Sequence, residues 1–110
     1  MTTTVVSDGL GFHSVTGLTT SEASDALKAG KDGMLVGCVQ ALDGGGTGFN
    51  AGTVTIQASL DGTNWHAAKD VTGTAITFTA DGYAEFSLAA RYIRALNDGT
   101  VSDVDIGFIL

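Results

Sequence analysis

The chain has 110 residues, which is long enough for one domain with a sizeable core. Of these residues 44% are hydrophobic and only 15% are charged, a composition that is not typical of disordered proteins. Its net charge is −7, whereas nucleic acid favours proteins with clustered Lys and Arg, so we expect no nucleic-acid partner. No apolar run approaches the length of a membrane span, and the N-terminus lacks the basic and apolar segments of a signal peptide. We therefore expect no membrane partner and no secretion.

The chain begins with a β-branched run. Residues 2–7, Thr-Thr-Thr-Val-Val-Ser, are typical of an edge strand, so residues 1–12 form either an N-terminal arm or an edge strand. We expect residues 1–110 to be a single β-sandwich domain and a complete small protein. A second short strand is predicted over residues 12–15. Residues 19–29 have a weak helical tendency, with an extended loop as the open alternative.

The next predicted strand, residues 33–42, is apolar on both of its faces. The alternation points Met34, Val36, Cys38 and Leu42 one way, and Leu35, Val39 and Ala41 the other way. One face must pack against the opposite sheet, and the other against either residues 19–29 or another subunit. Cys38 is the only cysteine, which excludes an intrachain disulfide, and we expect it to behave as a small buried hydrophobe.

A Gly-rich stretch over residues 43–52 follows this strand, and it includes Phe49. A phosphate-binding loop would need a Lys and a following helix, whereas here the pattern of a strand follows. We interpret the stretch as a loop that connects two strands.

The clearest pattern in the chain is a hairpin that begins at Thr53. Apolar residues from Val54 to Leu60 alternate with Thr and Gln, and Asp61-Gly62 supplies the positive φ angles of a tight turn. Trp65 opens the returning segment. We interpret it as a plug of the core because it brings a large apolar area to a small domain; stacking on a ligand is the alternative.

Further alternating segments lie around Ile76–Thr79, Tyr83–Leu88, Arg91–Asn97 and Asp103–Leu110, and Asp-Gly occurs at six places in the chain. Eight or nine short strands separated by turns predict an all-β, single-domain β-sandwich, with the jelly roll as the leading arrangement. Arg91 and Arg94 lie three apart, so we expect them on opposite faces of one strand. The inner one needs a carboxylate or carbonyl, and Glu85 and Asp70 are the predicted carboxylate partners.

The residues offer little support for catalysis. His13 and His66 are the only histidines, and neither lies in a nucleophile motif. The two His and one Cys are far apart in sequence, so we expect no metal site and no cofactor. Asp103 and Asp105 share a strand face that is typical of a solvated surface. We therefore expect a protein that is not an enzyme.

The segment Gly-Thr-Val-Thr-Ile-Gln-Ala-Ser-Leu-Asp-Gly-Thr-Asn-Trp, followed later by Ala-Arg-Tyr-Ile-Arg-Ala, resembles two families. One is the discoidin-like galactose-binding sandwich, and the other is the small β-sandwich proteins of tailed bacteriophages, including head decoration (cement) proteins. The match covers about residues 53–95, and the shared residues Asp61, Gly62, Trp65, Arg91 and Arg94 are structural. The single Cys and the Gly-rich loop with only Phe49 resemble the phage proteins more closely.

The resemblance implies a structural virion protein, made in the host cytoplasm, that binds as a homotrimer to the major capsid protein on the outside of a phage head. A carbohydrate-binding module of the discoidin type is the alternative. Independently of the resemblance, apolar residues in two-sided strands and loops predict an oligomer or partner interface. The predicted interface residues are Phe12, Met34, Val36, Phe49 and Ile109.

Overall fold

The computed structural model describes residues 2–3, 6–7, 12–18, 22–28, 34–43, 52–97 and 104–110. These residues include no helix, and hence none that is long and apolar enough to cross a membrane. They form twelve strands: β1 (Thr2–Thr3), β2 (Val6–Ser7), β3 (Phe12–Leu18), β4 (Glu22–Ser24), β5 (Leu27–Lys28), β6 (Met34–Asp43), β7 (Val54–Ser59), β8 (His66–Ala67), β9 (Thr77–Phe78), β10 (Gly82–Ala89), β11 (Tyr92–Asn97) and β12 (Val104–Ile109).

The strands build two sheets. The seven-stranded sheet has the order β1-β4-β11-β7-β8, with β5 also paired to β11 and β9 to β7, and the five-stranded sheet has the order β10-β6-β12-β3-β2. Eight of these are the main strands: β3, β4, β6, β7, β8, β10, β11 and β12. Counted one to eight in chain order, they follow the order 6-3-8-1 in the five-stranded sheet (β10-β6-β12-β3). In the seven-stranded sheet they follow the order 2-7-4-5 (β4-β11-β7-β8). This is the strand order of a jelly roll, so the predicted fold class is confirmed.

The number of strands exceeds the predicted eight or nine because four of the twelve are two-residue pairings outside the main set. The stretch over residues 19–29 is extended where it is described, as β4 and β5, and not helical. Its described part is held by a neighbouring strand: Leu96 and Asn97 of β11 pair with β4, and the Ser24 hydroxyl accepts a hydrogen bond from the Ala95 N–H at 3.0 Å. These sheet contacts override a weak local preference for helix.

The N-terminal segment contributes edge pairings to both sheets. Thr2–Thr3 pairs in parallel with β4, and Val6–Ser7 pairs antiparallel with β3. Of the two arrangements expected for residues 1–12, the described pairings are those of edge strands.

The core lies between the two sheets and is made by the inward residues of both. The largest side chains that are fully buried are Phe86, Phe108, Leu18, Ile56, Ile93, Ile106, Val15, Val39, Val54 and Val104, together with Asn97. The buried Asn97 amide is satisfied because its Nδ2 donates to the Leu18 carbonyl at 3.3 Å. The apolar residues at alternate strand positions therefore meet in one closed layer.

Strand β6 has the two faces that its sequence predicts. Leu35, Val39 and Ala41 are buried in the core, whereas Val36 and Leu42 are exposed. Cys38 is only partly buried on the outward side, so the expectation of a fully buried thiol is wrong. The reason is positional: β6 is the second strand of its sheet, and no described strand lies over its outer face.

Candidate functional site

The outer face of the five-stranded sheet is the most apolar exposed surface of the described chain. Its exposed side chains include Val36 (59% exposed), Leu42 (42%), Tyr83 (61%) and Ile109 (45%). They come from three adjacent strands, β10, β6 and β12. Single exposed apolar residues are common, but this sheet face presents four of them on neighbouring strands, interspersed with the polar side chains of Gln40, Glu85 and Ser87. We call this surface the outer face.

The strand register brings these side chains together. Ile109 lies opposite Cys38 and next to Phe12, and Gln40 lies between Tyr83 and Gly107. Directly opposed residues in an antiparallel pair point to the same side of the sheet. The outer face is therefore fixed by pairing of β10, β6, β12 and β3, and not by a flexible loop.

The absence of a side chain at Gly107 shapes the surface of the outer face. A Cβ atom at this position would lie 3.1 Å from Cε1 of Phe12 and 3.5 Å from Cγ of Gln40, so the Phe12 ring lies close over the glycine. Beside it is a shallow hollow of about 140 Å³, lined by Phe12, Cys38, Gln40, Tyr83, Gly107 and Ile109. The surface is thus an apolar sheet face with a dent at its centre.

The outer face carries little charge. Desolvation raises the pKa of Tyr83, and the neighbouring Cys38 thiol and Glu85 carboxylate act in the same direction. Tyr83 is therefore neutral at physiological pH. Glu85 and Asp105 are the acidic residues that the register places on this side, and no Lys or Arg in the described ranges is on it. The outer face is better suited to contact with protein than with a charged ligand.

Three of the five predicted interface residues, Phe12, Val36 and Ile109, lie on the outer face. Met34 begins β6, and Phe49 lies outside the described residues. Tyr83 was missed as an interface residue. The alternation in β10 had already placed it on the side opposite Phe86, and this was the signal that could have identified it.

The interpretation of Trp65 as a core plug is wrong. Trp65 is only partly buried and is not among the core residues. The guanidinium carbon of Arg94 lies 4.0 Å from the centroid of its ring, a cation–π contact. Arg94 points outward because its neighbours Ile93 and Ala95 point into the core. Trp65 therefore belongs to the outer side of the seven-stranded sheet.

The predicted carboxylate partners of the arginines are also wrong. Arg94 Nε donates a hydrogen bond of 2.8 Å to Oε1 of Gln57, an uncharged neighbour on β7, instead of to Glu85 or Asp70. Partial burial lowers the pKa of Arg94 below its usual value. Arg91 precedes β11 and is exposed, and its backbone N–H donates to the Ser59 carbonyl at 3.0 Å. Arg94 thus links Gln57 and Trp65 on the outer side of the seven-stranded sheet.

The turn after β7 is built by the side chains of Ser59 and Asp61. Asp61 Oδ1 accepts hydrogen bonds from the N–H groups of Thr63 and Asn64, both at 2.8 Å, and these bonds hold the pKa of its carboxyl well below the usual range. Ser59 Oγ accepts from the Gly62 N–H at 2.9 Å, and Gly62 has the predicted positive φ, 78°. This network closes the hairpin, so Asp61 is engaged in structure.

The described ranges contain no group of three or more His, Cys, Asp or Glu side chains that could hold a metal ion. His13 lies on β3 in the five-stranded sheet and His66 on β8 in the seven-stranded sheet, so the two imidazoles belong to different sheets. Neither a protein-family model, nor a curated protein, nor a solved structure matches this chain.

Proposed function

We propose that this chain is a structural virion protein, a capsid decoration protein that binds the outside of a phage head as a homo-oligomer and stabilises it. The observation that carries the proposal is the exposed outer face, which presents Val36, Leu42, Tyr83 and Ile109 on the same side of the sheet. Apolar patches of this kind are usual at interfaces between proteins. The resemblance of the hairpin around Trp65 to phage decoration proteins supplies the class of assembly.

In this proposal a second copy of the chain covers the outer face. Each copy carries a net charge of −7, so copies repel one another, and this repulsion is weakest when they meet through a surface with little charge. The outer face has this property. Cyclic symmetry closes such contacts into a defined oligomer. The number three is taken from the resemblance to decoration proteins.

The oligomer stabilises the shell by mass action. It binds the assembled major capsid protein and not the loose subunits, so it shifts the equilibrium toward the shell. This role needs no catalytic group. It requires a rigid scaffold, which the closed core of the jelly roll supplies, and surfaces for two kinds of contact.

Sedimentation of the purified protein tests the self-association. We expect an oligomer at micromolar concentration, and Val36→Ser together with Ile109→Ser should convert it to monomer because both changes place hydroxyl groups in an apolar interface. Leu60→Ser is the matched control, since Leu60 is 69% exposed but follows β7 in the other sheet. This control should leave the oligomer intact.

Heat resistance of capsids tests the second half of the proposal. Addition of the protein to undecorated phage capsids should raise the temperature at which they release their DNA. A monomer in solution that gives capsids no added heat resistance would disprove the proposed function. Reproducible, competable hits on a glycan array would instead favour a carbohydrate-binding module.

A further inference from the structure

Strand β10 has one free edge. It is the terminal strand of the five-stranded sheet, and within the described part of the chain it pairs only with β6. The pairing runs through all eight residues from Gly82 to Ala89 without a register shift. Long regular edge strands are usually protected by Lys, Pro or a bulge, and β10 has none of these. No described strand therefore pairs with the outer row of backbone N–H and C=O groups of β10.

The gap between the two sheets is open beside one end of this edge. Near Gly82 the gap is filled by Phe78, whose ring carbon would lie 2.8 Å from a Cβ at Gly82. At the other end small side chains leave a hollow of about 250 Å³, lined by Ala58, Ser59, Leu60, His66, Ala89 and Ala90. The facing strand β8 is only two residues long, so it extends little along this edge. The free edge thus lies next to an apolar hollow.

The opposite edge of the sandwich shows how this fold closes an edge. There Thr2–Thr3 pairs with β4 and Val6–Ser7 pairs with β3, so two short strands of the N-terminal segment serve both sheets. No described segment does this at β10. An extended polypeptide is the occupant whose chemistry matches an unpaired strand edge.

We propose that the free edge of β10 binds an extended segment of a different protein as an added strand, with one large apolar side chain inserted into the hollow at Ala58 and Ala89. Side chains of a strand alternate, so the residues next to the inserted one point to the side of Glu85. A basic residue there would complement Glu85 and the acidic chain as a whole.

A second copy of the chain fits this edge less well. If two copies paired through β10, the inward residues of the added strand would be Phe86 and Leu88, which already pack in or against their own core. The hollow would stay empty. Under the proposed function the segment belongs to a capsid subunit. That identification rests on the proposed function, whereas the binding site itself does not.

Selection from a displayed library of random eight-residue peptides on the immobilised full-length protein tests the site. We expect the enriched peptides to alternate apolar and polar residues, with one large apolar side chain. A synthetic copy of an enriched peptide should slow amide hydrogen exchange in Gly82–Ala89 and in no other strand. Ala58→Leu, which fills the hollow, should weaken binding about tenfold or more. Ala26→Leu, at an exposed position between β4 and β5, is the matched control.

A second measurement leaves the protein unchanged, which matters if Ala58→Leu fails to fold. Alternate amides of an extended peptide point to opposite edges of the strand. Two versions of the enriched peptide are therefore made, one with N-methyl groups on the odd-numbered amides and one with N-methyl groups on the even-numbered amides. Only one set faces β10, so one version should lose binding and the other should keep it.

The proposal is overturned if no peptide is enriched, if protection appears on another strand, or if both N-methylated peptides bind. It is also overturned if β10 amides are already protected in the free protein in a concentration-dependent way, because a second copy then occupies the edge. All of these readouts use the isolated protein. They are therefore independent of the sedimentation and capsid results that test the proposed function.

Discussion

At the scale of single residues, the most informative side chains are those whose role is clear only from the residues that they contact in the fold. Trp65 is covered on one face by Arg94, which is held in turn by Gln57. Asp61 and Ser59 organise a turn through hydrogen bonds to backbone N–H groups. These residues contact the hairpin outside the apolar core cluster, so we expect their contributions to stability to be smaller than those of core residues.

Truncation of Trp65 should therefore cost less than truncation of a core aromatic. We expect Trp65→Ala to lower the free energy of unfolding by roughly 1–2 kcal/mol, because only part of the side chain is buried. Phe86→Ala, at a position 2% exposed, should cost about 3–5 kcal/mol. Urea unfolding measures both. Arg94→Ala should also increase the quenching of Trp65 fluorescence by acrylamide, because it uncovers one face of the indole ring. Equal losses of unfolding free energy in Trp65→Ala and Phe86→Ala would contradict the assignment of Trp65 to the surface.

The depressed pKa of Asp61 gives the hairpin a pH dependence. The folded-state pKa lies below the ordinary value, so the ionised carboxylate stabilises the fold above about pH 4, and this contribution is lost as the pH falls toward the folded-state pKa. Asp61→Asn should flatten the dependence of unfolding free energy on pH in that acidic window. Asp25→Asn is the control, since Asp25 lies outside this turn and accepts the hydrogen bond of the Ser24 hydroxyl through its backbone carbonyl. An unchanged acid dependence in Asp61→Asn would refute this prediction.

Gly37 occupies a position that no other residue can take without a backbone shift. A Cβ there would lie 1.8 Å from the carbonyl oxygen of Ile109 and 3.2 Å from the Cα of Leu110. We expect Gly37→Ala to destabilise the fold by about 3 kcal/mol, as overpacking against backbone does. Gly73→Ala, where φ is 86° and a Cβ would meet nothing within 4 Å, should cost only about 1 kcal/mol from backbone strain. Chemical denaturation distinguishes the two.

At the scale of the element, we expect the two faces of β6 to affect different properties: the inward face affects folding stability, and the outward face affects the proposed self-association. Val39 faces the core and is 0% exposed, whereas Val36 lies on the outer face of the same strand. Val39→Ala should lower the free energy of unfolding by about 2 kcal/mol and leave the surface unchanged. Val36→Ala should change monomer stability by less than about 0.5 kcal/mol and weaken self-association. Denaturation and sedimentation of both variants check this, and a loss of stability in Val36→Ala equal to that in Val39→Ala would contradict it.

At the scale of the whole molecule, the charge opposes the assembly that we propose. Copies with a net charge of −7 repel through space, and the few acidic residues of the outer face add to this repulsion and form no ion pairs with Lys or Arg of the described residues on that face. Raising NaCl from about 0.01 M to about 0.15 M shortens the screening length from about 30 Å to about 8 Å, so association should strengthen. Sedimentation across this range measures the effect. Association that weakens with salt would indicate an interface of ion pairs and not the outer face.

The sequence by itself determined the fold class and much of the side-chain orientation. Alternation in β6, β12 and most of β7 identified which residues face the core, because the side-chain period of a strand is two and burial of one face leaves little freedom of register. At the end of β7 the alternation was wrong, since Leu60 is 69% exposed and Ser59 is buried. The Asp61-Gly62 turn followed from local conformational preference, and Gly62 adopts the positive φ that the motif requires. These features depend on residues close together in the chain.

Only the tertiary structure decided which outward residues meet. Tyr83, Cys38 and Ile109 come from three strands, and their proximity depends on the order β10-β6-β12 in the sheet. The position of Trp65 was decided in the same way, since Arg94 reaches it from β11, about thirty residues further along the chain. Alternation along one strand assigns a face, but it carries no information about the strand that lies alongside or what covers that face, because sheet order is set by packing of the whole chain.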